Sequence, residues 1–175
     1  MNIDILPLKS NDIDNILQWN DGTTTSFLEQ WSGRGYSYPI TREQVVNKMR
    51  DKKSKIYKIV LYGNAMAGAI ADNRTKMVGT VELSSHSMPS KSCMVCRFLM
   101  APAYRSRGYG TLALMMLAWK AFTEWGYKQL RLRVFAYNER AIRCYIKAGF
   151  TLTKVIAWDG DREVYEMCRK ASSIN

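Results

Sequence analysis

The sequence predicts one mixed α/β domain spanning residues 1–175, a mixed sheet flanked by helices, and three observations predict it. Its 175 residues are 47% hydrophobic and 23% charged, the size and composition of a chain built around one core. Short apolar runs bounded by turn residues dominate the first hundred positions, as strands do. After Pro102, helical and extended patterns alternate in the order β-α-β-α-β-β once the earlier strand is counted, the signature of a sheet with helices packed on it.

Ile3 and Ile5 alternate with polar neighbours in Asn2–Pro7, a short strand. Asn11-Asp12-Ile13-Asp14 offers an N-cap with an acid at the third helical position and opens a helix to about Trp19. A second helical patch covers Ser26 to Trp31. The Gly/aromatic loop Ser32–Pro39 follows, and Thr41-Arg42-Glu43-Gln44 reads as a capping box for a helix to about Arg50. Lys55–Tyr62 is a strand, Gly63–Arg74 a loop or irregular hairpin, and Lys76–Ser84 and Ser92–Met100 are strands. Helix Gly110–Trp125 is apolar on nearly every side and is expected to be buried on the sheet. Strand Gln129–Ala136 comes next, then a short helix from Asn138, its N-cap, to the C′ glycine Gly149. Phe150–Trp158 and Arg162–Cys168 form a hairpin about Asp159-Gly160.

Composition excludes several classes. The longest apolar stretch, Leu112–Trp119, is far short of the roughly 20 residues of a membrane span. The first residues lack a basic region followed by an apolar run, so a cytoplasmic protein is expected. Cys93-Met94-Val95-Cys96 spells C-x-x-C, yet positions three apart on a strand face opposite sides, and His86 is the only histidine. Neither a redox pair nor a metal site is expected. Net charge is +11 and unevenly spread: residues 1–87 carry 11 basic and 9 acidic side chains, residues 88–175 carry 15 and 6. An anionic ligand of the second half, or a solvated basic surface, accounts for that excess.

Arg105-Ser106-Arg107-Gly108-Tyr109-Gly110-Thr111 lies between a strand and the long apolar helix. Glycines that allow close backbone approach, unpaired N–H groups of a first helical turn and two arginines make a diphosphate site. Gly108-Tyr109-Gly110-Thr111-Leu112-Ala113 also satisfies the dinucleotide G-x-G-x-x-G/A string. However, Ala101–Arg107 intervene after the strand, and no acid occurs in residues 127–137, so NAD binding is disfavoured. No G-K-[ST] follows, which excludes a Walker A loop.

The segment Arg105–Gly110 resembles the R/Q-x-x-G-x-G/A motif of the GCN5-related N-acetyltransferase (GNAT) superfamily. Asn138-Glu139-Arg140-Ala141-Ile142-Arg143-Cys144-Tyr145-Ile146-Lys147-Ala148-Gly149-Phe150 is similar to its second signature, N-x-x-A-x-x-x-Y-x-x-x-G-F. The resemblance implies a mostly antiparallel sheet with a splayed parallel pair, Ser92–Met100 and Gln129–Ala136, and acetyl-CoA as co-substrate. It implies pyrophosphate binding by Arg105, Arg107, Gly108, Tyr109, Gly110 and Thr111, pantetheine contacts at Leu99 and Met100, and a cofactor contact or N-cap at Asn138. A backbone N–H near Met100 is the implied oxyanion donor.

Asn138 and Tyr145 are two helical turns apart and share a face, so Tyr145 is the expected general acid for the leaving thiolate, or else a core residue. Glu82 is the candidate base, or else an ordinary strand residue; His86 is a poorer one. The acceptor, a small-molecule amine or a protein N-terminus, is expected against Phe27, Trp31, Tyr36 and Tyr38, with Gly33 and Gly35 loosening that loop. Net positive charge disfavours polycationic acceptors unless Asp12, Asp14, Asp21 and Glu29 cluster. The competing class is a basic nucleic-acid or ribosome-binding module on the same scaffold without catalysis, supported by charge alone because no nucleic-acid motif is present. Many members of the superfamily form dimers, and the residues leave a homodimer open.

Overall fold

The computed structural model describes residues 2–63, 75–86 and 88–171. Strand β1 (Ile3–Pro7) leads through a 3-10 turn at Ser10–Asp12 into three short helices, α1 (Ile13–Gln18), α2 (Thr25–Ser32) and α3 (Arg42–Met49). Then come β2 (Ser54–Tyr62), β3 (Thr75–Ser84), β4 (Ser92–Met100), α4 (Tyr109–Thr123), β5 (Gln129–Phe135), α5 (Glu139–Lys147), β6 (Thr151–Ala157) and β7 (Glu163–Lys170). The loop expected at Gly63–Arg74 lies almost wholly outside the described residues. Every expected strand and helix among the described residues is present, with ends displaced by one or two positions.

The seven strands form one sheet in the order β1-β2-β3-β4-β5-β7-β6, antiparallel except for the β4–β5 pair. Alternation buries Ile3, Ile5, Ile59, Val78, Val81, Leu130, Leu132 and Met167 under α4 and α5. A second apolar cluster, Leu8, Ile13, Ile16 and Val45, seats the N-terminal helices beside the sheet. Thr24 and Thr41 cap α2 and α3 by accepting from Phe27 N and Gln44 N. The expected capping box is only half made, because the Gln44 amide bonds Ser37 and Pro39 of the preceding loop instead.

The long helix is not buried all round. Ala113, Leu114, Leu117, Ala118 and Ala121 face the sheet, while Leu112, Met115 and Trp119 are 37%, 46% and 53% exposed. Fifteen residues turn through more than four helical turns, and one sheet can cover only one stripe of them.

The β2 and β3 ends near α3 are tied by Asp51, which accepts from Lys53 N at 2.9 Å and meets His86 Nε2 at 2.7 Å and Lys48 Nζ at 3.3 Å. These bonds, the His86 one foremost, hold the Asp51 carboxyl well below its usual 3.8. A carboxyl depressed in the folded state stabilises the fold above its unfolded value and loses that contribution as pH falls toward the folded one. The urea midpoint is therefore expected to fall below about pH 4, with Asp51→Asn lower than wild type at neutral pH and less acid-sensitive. Equal acid sensitivity in the two proteins would remove Asp51 from this role.

Candidate functional site

Strands β4 and β5 pair only from Ser92–Val95 against Gln129–Leu132 and then diverge. A bulge in β4 starts the divergence. Thr80 faces Leu99 and Glu82 faces Cys96, leaving Arg97 and Phe98 opposite Val81 alone. Arg97 takes φ +48° to absorb the extra residue. Beyond the bulge Ala101 N–H donates to Val78 O at 2.8 Å. Because backbone polarity alternates along a strand, the Met100 groups turn to the open β5 side. There the Met100 carbonyl accepts Arg105 Nε at 2.8 Å.

Two adjoining cavities fill the splay. The larger, about 620 Å³, is lined by Leu99, Met100, Arg105, Gly108, Gly110, Thr111 and Asn138 together with Phe27, Tyr104, Arg140, Arg143, Cys144 and Lys147. The smaller, about 310 Å³, runs between α2 and the diverging strands and is lined by Glu29, Ser32, Cys96, Arg97, Arg133, Phe135, Tyr145 and Trp158, among others. Gln30, Trp31, Phe98, Asn138 and Ala141 line both. The N-terminus of α4 points at the larger cavity. Gly108 caps it at φ +82°, a conformation that a Cβ would strain. Burial, and then the like charge of Arg140, push the Arg105 guanidinium below its usual value. Arg105 Nη2 is buried without a partner among the described residues. An unpaired cationic donor beside a helix N-terminus and the basic side chains of α5 is a site for a polyanion.

The structure brings together seven of the nine expected cofactor-site residues. Arg107 is exposed and lines neither cavity. Tyr109 packs edge-on against Tyr104, with ring centroids 5.2 Å apart, and turns away. Asn138 caps α5 by accepting from Ala141 N at 3.3 Å, and it borders both cavities. Arg140, Arg143 and Lys147 were not anticipated, although their spacing along α5 puts them on one face. Trp158 gives no such signal, since only the folding of the β6–β7 hairpin against α2 carries it to the cavity.

Tyr145 lines the smaller cavity between Phe98 and Phe150, with ring centroids 6.4 and 6.2 Å away. Burial foremost, then Cys144 and Cys96, raise its phenol above the usual 10.0. Phe27 and Trp31 reach the cavities. Trp31 is oriented by its Nε1 donating to Asn20 Oδ1 at 3.0 Å. Tyr38 instead lies on the surface with its hydroxyl on Thr23 O, and Tyr36 sits beneath Arg97, ring to guanidinium 5.7 Å.

Glu82 is fully buried, not a solvent-facing strand residue, and lines neither cavity. Arg97 Nη1 lies 2.6 Å from its carboxylate and Lys48 Nζ 3.9 Å. Gly35 is not a loosening element. A Cβ there would overlap Arg97 Nε, so its absence lets Arg97 pass to Glu82. His86 is at Asp51, on another part of the sheet. The expected acidic cluster does not gather as free charge: Asp12 pairs with Lys58, Asp14 with Arg42 and Glu29 with Arg162. Cys93 and Cys96 are unpaired thiols that burial pushes up to about 12 and about 11.

Residues 2–151 match the family model described as acetyltransferase (GNAT) domain. A 67-residue stretch is 37% identical to an uncharacterized N-acetyltransferase, YdgE, of Bacillus subtilis (strain 168), covering 38% of this chain and 42% of that protein. The fold is similar to spermidine N-acetyltransferase from Vibrio cholerae in complex with CoA and spermine (TM-score 0.72, 15% identity, 96% of this chain and 95% of that one). It is also similar to AAC(6')-Ib in complex with paromomycin and acetyl-CoA (TM-score 0.73, 16% identity, 97% and 94%). At these identities the two solved structures speak for the fold. Among the described residues no helix is long and apolar enough to cross a membrane.

Proposed function

The chain belongs to the GNAT acetyltransferase family, and on that premise we propose that residues 1–175 act as a single domain that moves the acetyl group of acetyl-CoA to a primary amine in a ternary complex. The observation that carries this reading is Arg105, its buried Nη2 without a partner among the described residues, on the wall that it shares with the α4 N-terminus in a cavity adjoining the one that Tyr145 lines.

Arg105, the first-turn N–H groups of α4 and the basic side chains Arg140, Arg143 and Lys147 hold the phosphates. Leu99 and Met100 line the pantetheine arm along the open edge of β4. The Met100 N–H, turned to that edge, stabilises the carbonyl oxygen as it gains charge. The co-substrate supplies an acetyl group activated as a thioester. The amine nitrogen bonds to the carbonyl carbon, the C–S bond breaks, and Tyr145 gives its proton to the departing sulfur. The proton that the nitrogen sheds passes to water, from which Tyr145 is reprotonated. The burial that raises the phenol raises the basicity of the buried thiolate as well, so the transfer stays matched. Glu82, behind Arg97, serves in this reading to hold Arg97 in place rather than to touch the amine.

The test is thermal unfolding with acetyl-CoA, CoA or NAD. At about 1,000 times its Kd, acetyl-CoA adds about 4 kcal/mol and raises Tm by roughly 8 to 16 °C, as CoA should and NAD should not. Absence of any shift with the CoA species, together with salt-dependent retention of RNA, would favour the non-catalytic basic module instead.

A further inference from the structure

The smaller cavity carries three features that bear on which amine enters it. First, it offers no free negative charge. Glu29 is the only carboxylate among its described lining residues, and Arg162 Nη1 holds both its oxygens at 3.1 and 3.2 Å. The neighbouring Glu82 is taken by Arg97, and Glu166 by Arg131 and Arg133. A polycation entering here would have to break guanidinium pairs and would meet Arg97 and Arg133 on the cavity wall.

Second, two residues of that wall carry buried side-chain polar atoms without a partner among the described residues, and both atoms, Trp158 Nε1 and Arg97 Nε, are donors. A buried donor left unpaired is costly, and a guest that presents an acceptor oxygen relieves that cost. Trp31, Phe98, Phe135 and Tyr145 give the same wall a large aromatic surface.

Third, no carboxylate among the described residues of the wall is open to take a proton from an ammonium group. An alkylammonium with a pKa near 10.4 is only about 0.1% neutral at pH 7.5, whereas an α-amino group near 7.8 is about one-third neutral. A site without an open base therefore favours the second by a few hundred-fold in reactive amine.

We propose that the acceptor is an α-amine, a primary amine whose adjacent carbon carries an amide carbonyl group on an apolar body, as in an amino acid amide or a peptide N-terminus. This rests on the acetyl-transfer reading of the same cavity. Trp158 Nε1 donates to the carbonyl oxygen, the aromatic wall holds the body, and the nitrogen reaches the thioester carbon. Attack forms the N–C bond and breaks C–S. The nitrogen's proton goes to water and the sulfur takes the Tyr145 proton, giving the N-acetyl amide and CoA.

The experiment follows CoA release at pH 7.5 from acetyl-CoA with L-phenylalaninamide, a tetrapeptide beginning with phenylalanine, spermidine and kanamycin, with acetyl-CoA binding measured in parallel by calorimetry. We expect kcat/KM for the amide or the peptide to exceed that for spermidine by at least about 100-fold, and to exceed that for kanamycin as well. Turnover of both points to a small α-amine, and of the peptide alone to a protein N-terminus. A reversed ranking, or no turnover of either α-amine while acetyl-CoA binds, overturns the acceptor class. Failure of acetyl-CoA to bind overturns the acetyl-transfer reading itself. Trp158→Phe should raise KM for the preferred α-amine about tenfold with acetyl-CoA affinity unchanged; an unchanged KM would remove Trp158 from recognition.

Discussion

Thr111→Asp is expected to fold at least as well as wild type and to lose acetyl-CoA affinity by at least about 100-fold. Thr111 is the third residue of α4 and lines the larger cavity. A carboxylate in a first helical turn is favourable by about 0.3–1 kcal/mol, because it faces the positive end of the helix dipole. The same carboxylate would stand where the diphosphate binds. Two like charges about 4 Å apart at an effective dielectric of about 20 repel by about 4 kcal/mol, well beyond the roughly 2.7 kcal/mol that a 100-fold loss requires. What the substitution removes from the free protein is small, a 3.5 Å contact between Thr111 Oγ1 and Cys144 Sγ.

Gly110→Asp is the less clean probe. Its Cβ would press on Cys144 Sγ at 3.3 Å and stand 3.6 Å from the Phe98 ring, mixing helix–helix strain with charge. Thermal melts of the Thr111→Asp protein and titration with acetyl-CoA separate the two effects. An affinity within about threefold of wild type, with the fold intact, would place the diphosphate elsewhere.

The parts of this molecule that local chemistry dictates were legible before the fold was known. Alternation marked the strands, Thr24, Thr41 and Asn138 cap helices as their residue types favour, and the glycine loop forms because Gly108 must take positive φ. Side-chain direction was less legible. Arg105 and Arg107 look equivalent in sequence, yet Arg105 turns inward to Met100 O and over Phe27, its guanidinium 5.0 Å from the ring, while Arg107 faces solvent. Two residues of separation in an irregular loop carry no period from which to read a face.

Long-range pairing was not legible either. Nothing in the spacing of Gly35, Glu82 and Arg97 announces that a glycine in one loop makes room for an arginine from a bulge to cover a carboxylate on the next strand. The same holds for Arg162 on Glu29, which joins residues 133 positions apart and occupies the one carboxylate among the cavity's described lining residues. Charge counts along the chain are sums, and the chemistry of a pocket depends on which of those charges have already found one another.

Tyr145→Phe is expected to lower kcat by about 10²–10³ while leaving acetyl-CoA affinity and stability close to wild type. The phenol hydroxyl makes no hydrogen bond among the described residues, so its removal orphans no partner. The ring contacts with Phe98 and Phe150 persist in phenylalanine. A packing role therefore predicts almost no effect, and an acid role a large one confined to turnover. Positioned proton donors contribute about 10²–10⁴ in rate, and a loss felt only in the transition state lowers kcat and kcat/KM together. Because burial raises the phenol above its usual value, Tyr145 stays protonated across the neutral range, and its contribution should not titrate away as pH rises from 6 to 9. A wild-type kcat in the phenylalanine variant would mean that the sulfur takes its proton from water and that Tyr145 serves α5 only as a packing residue.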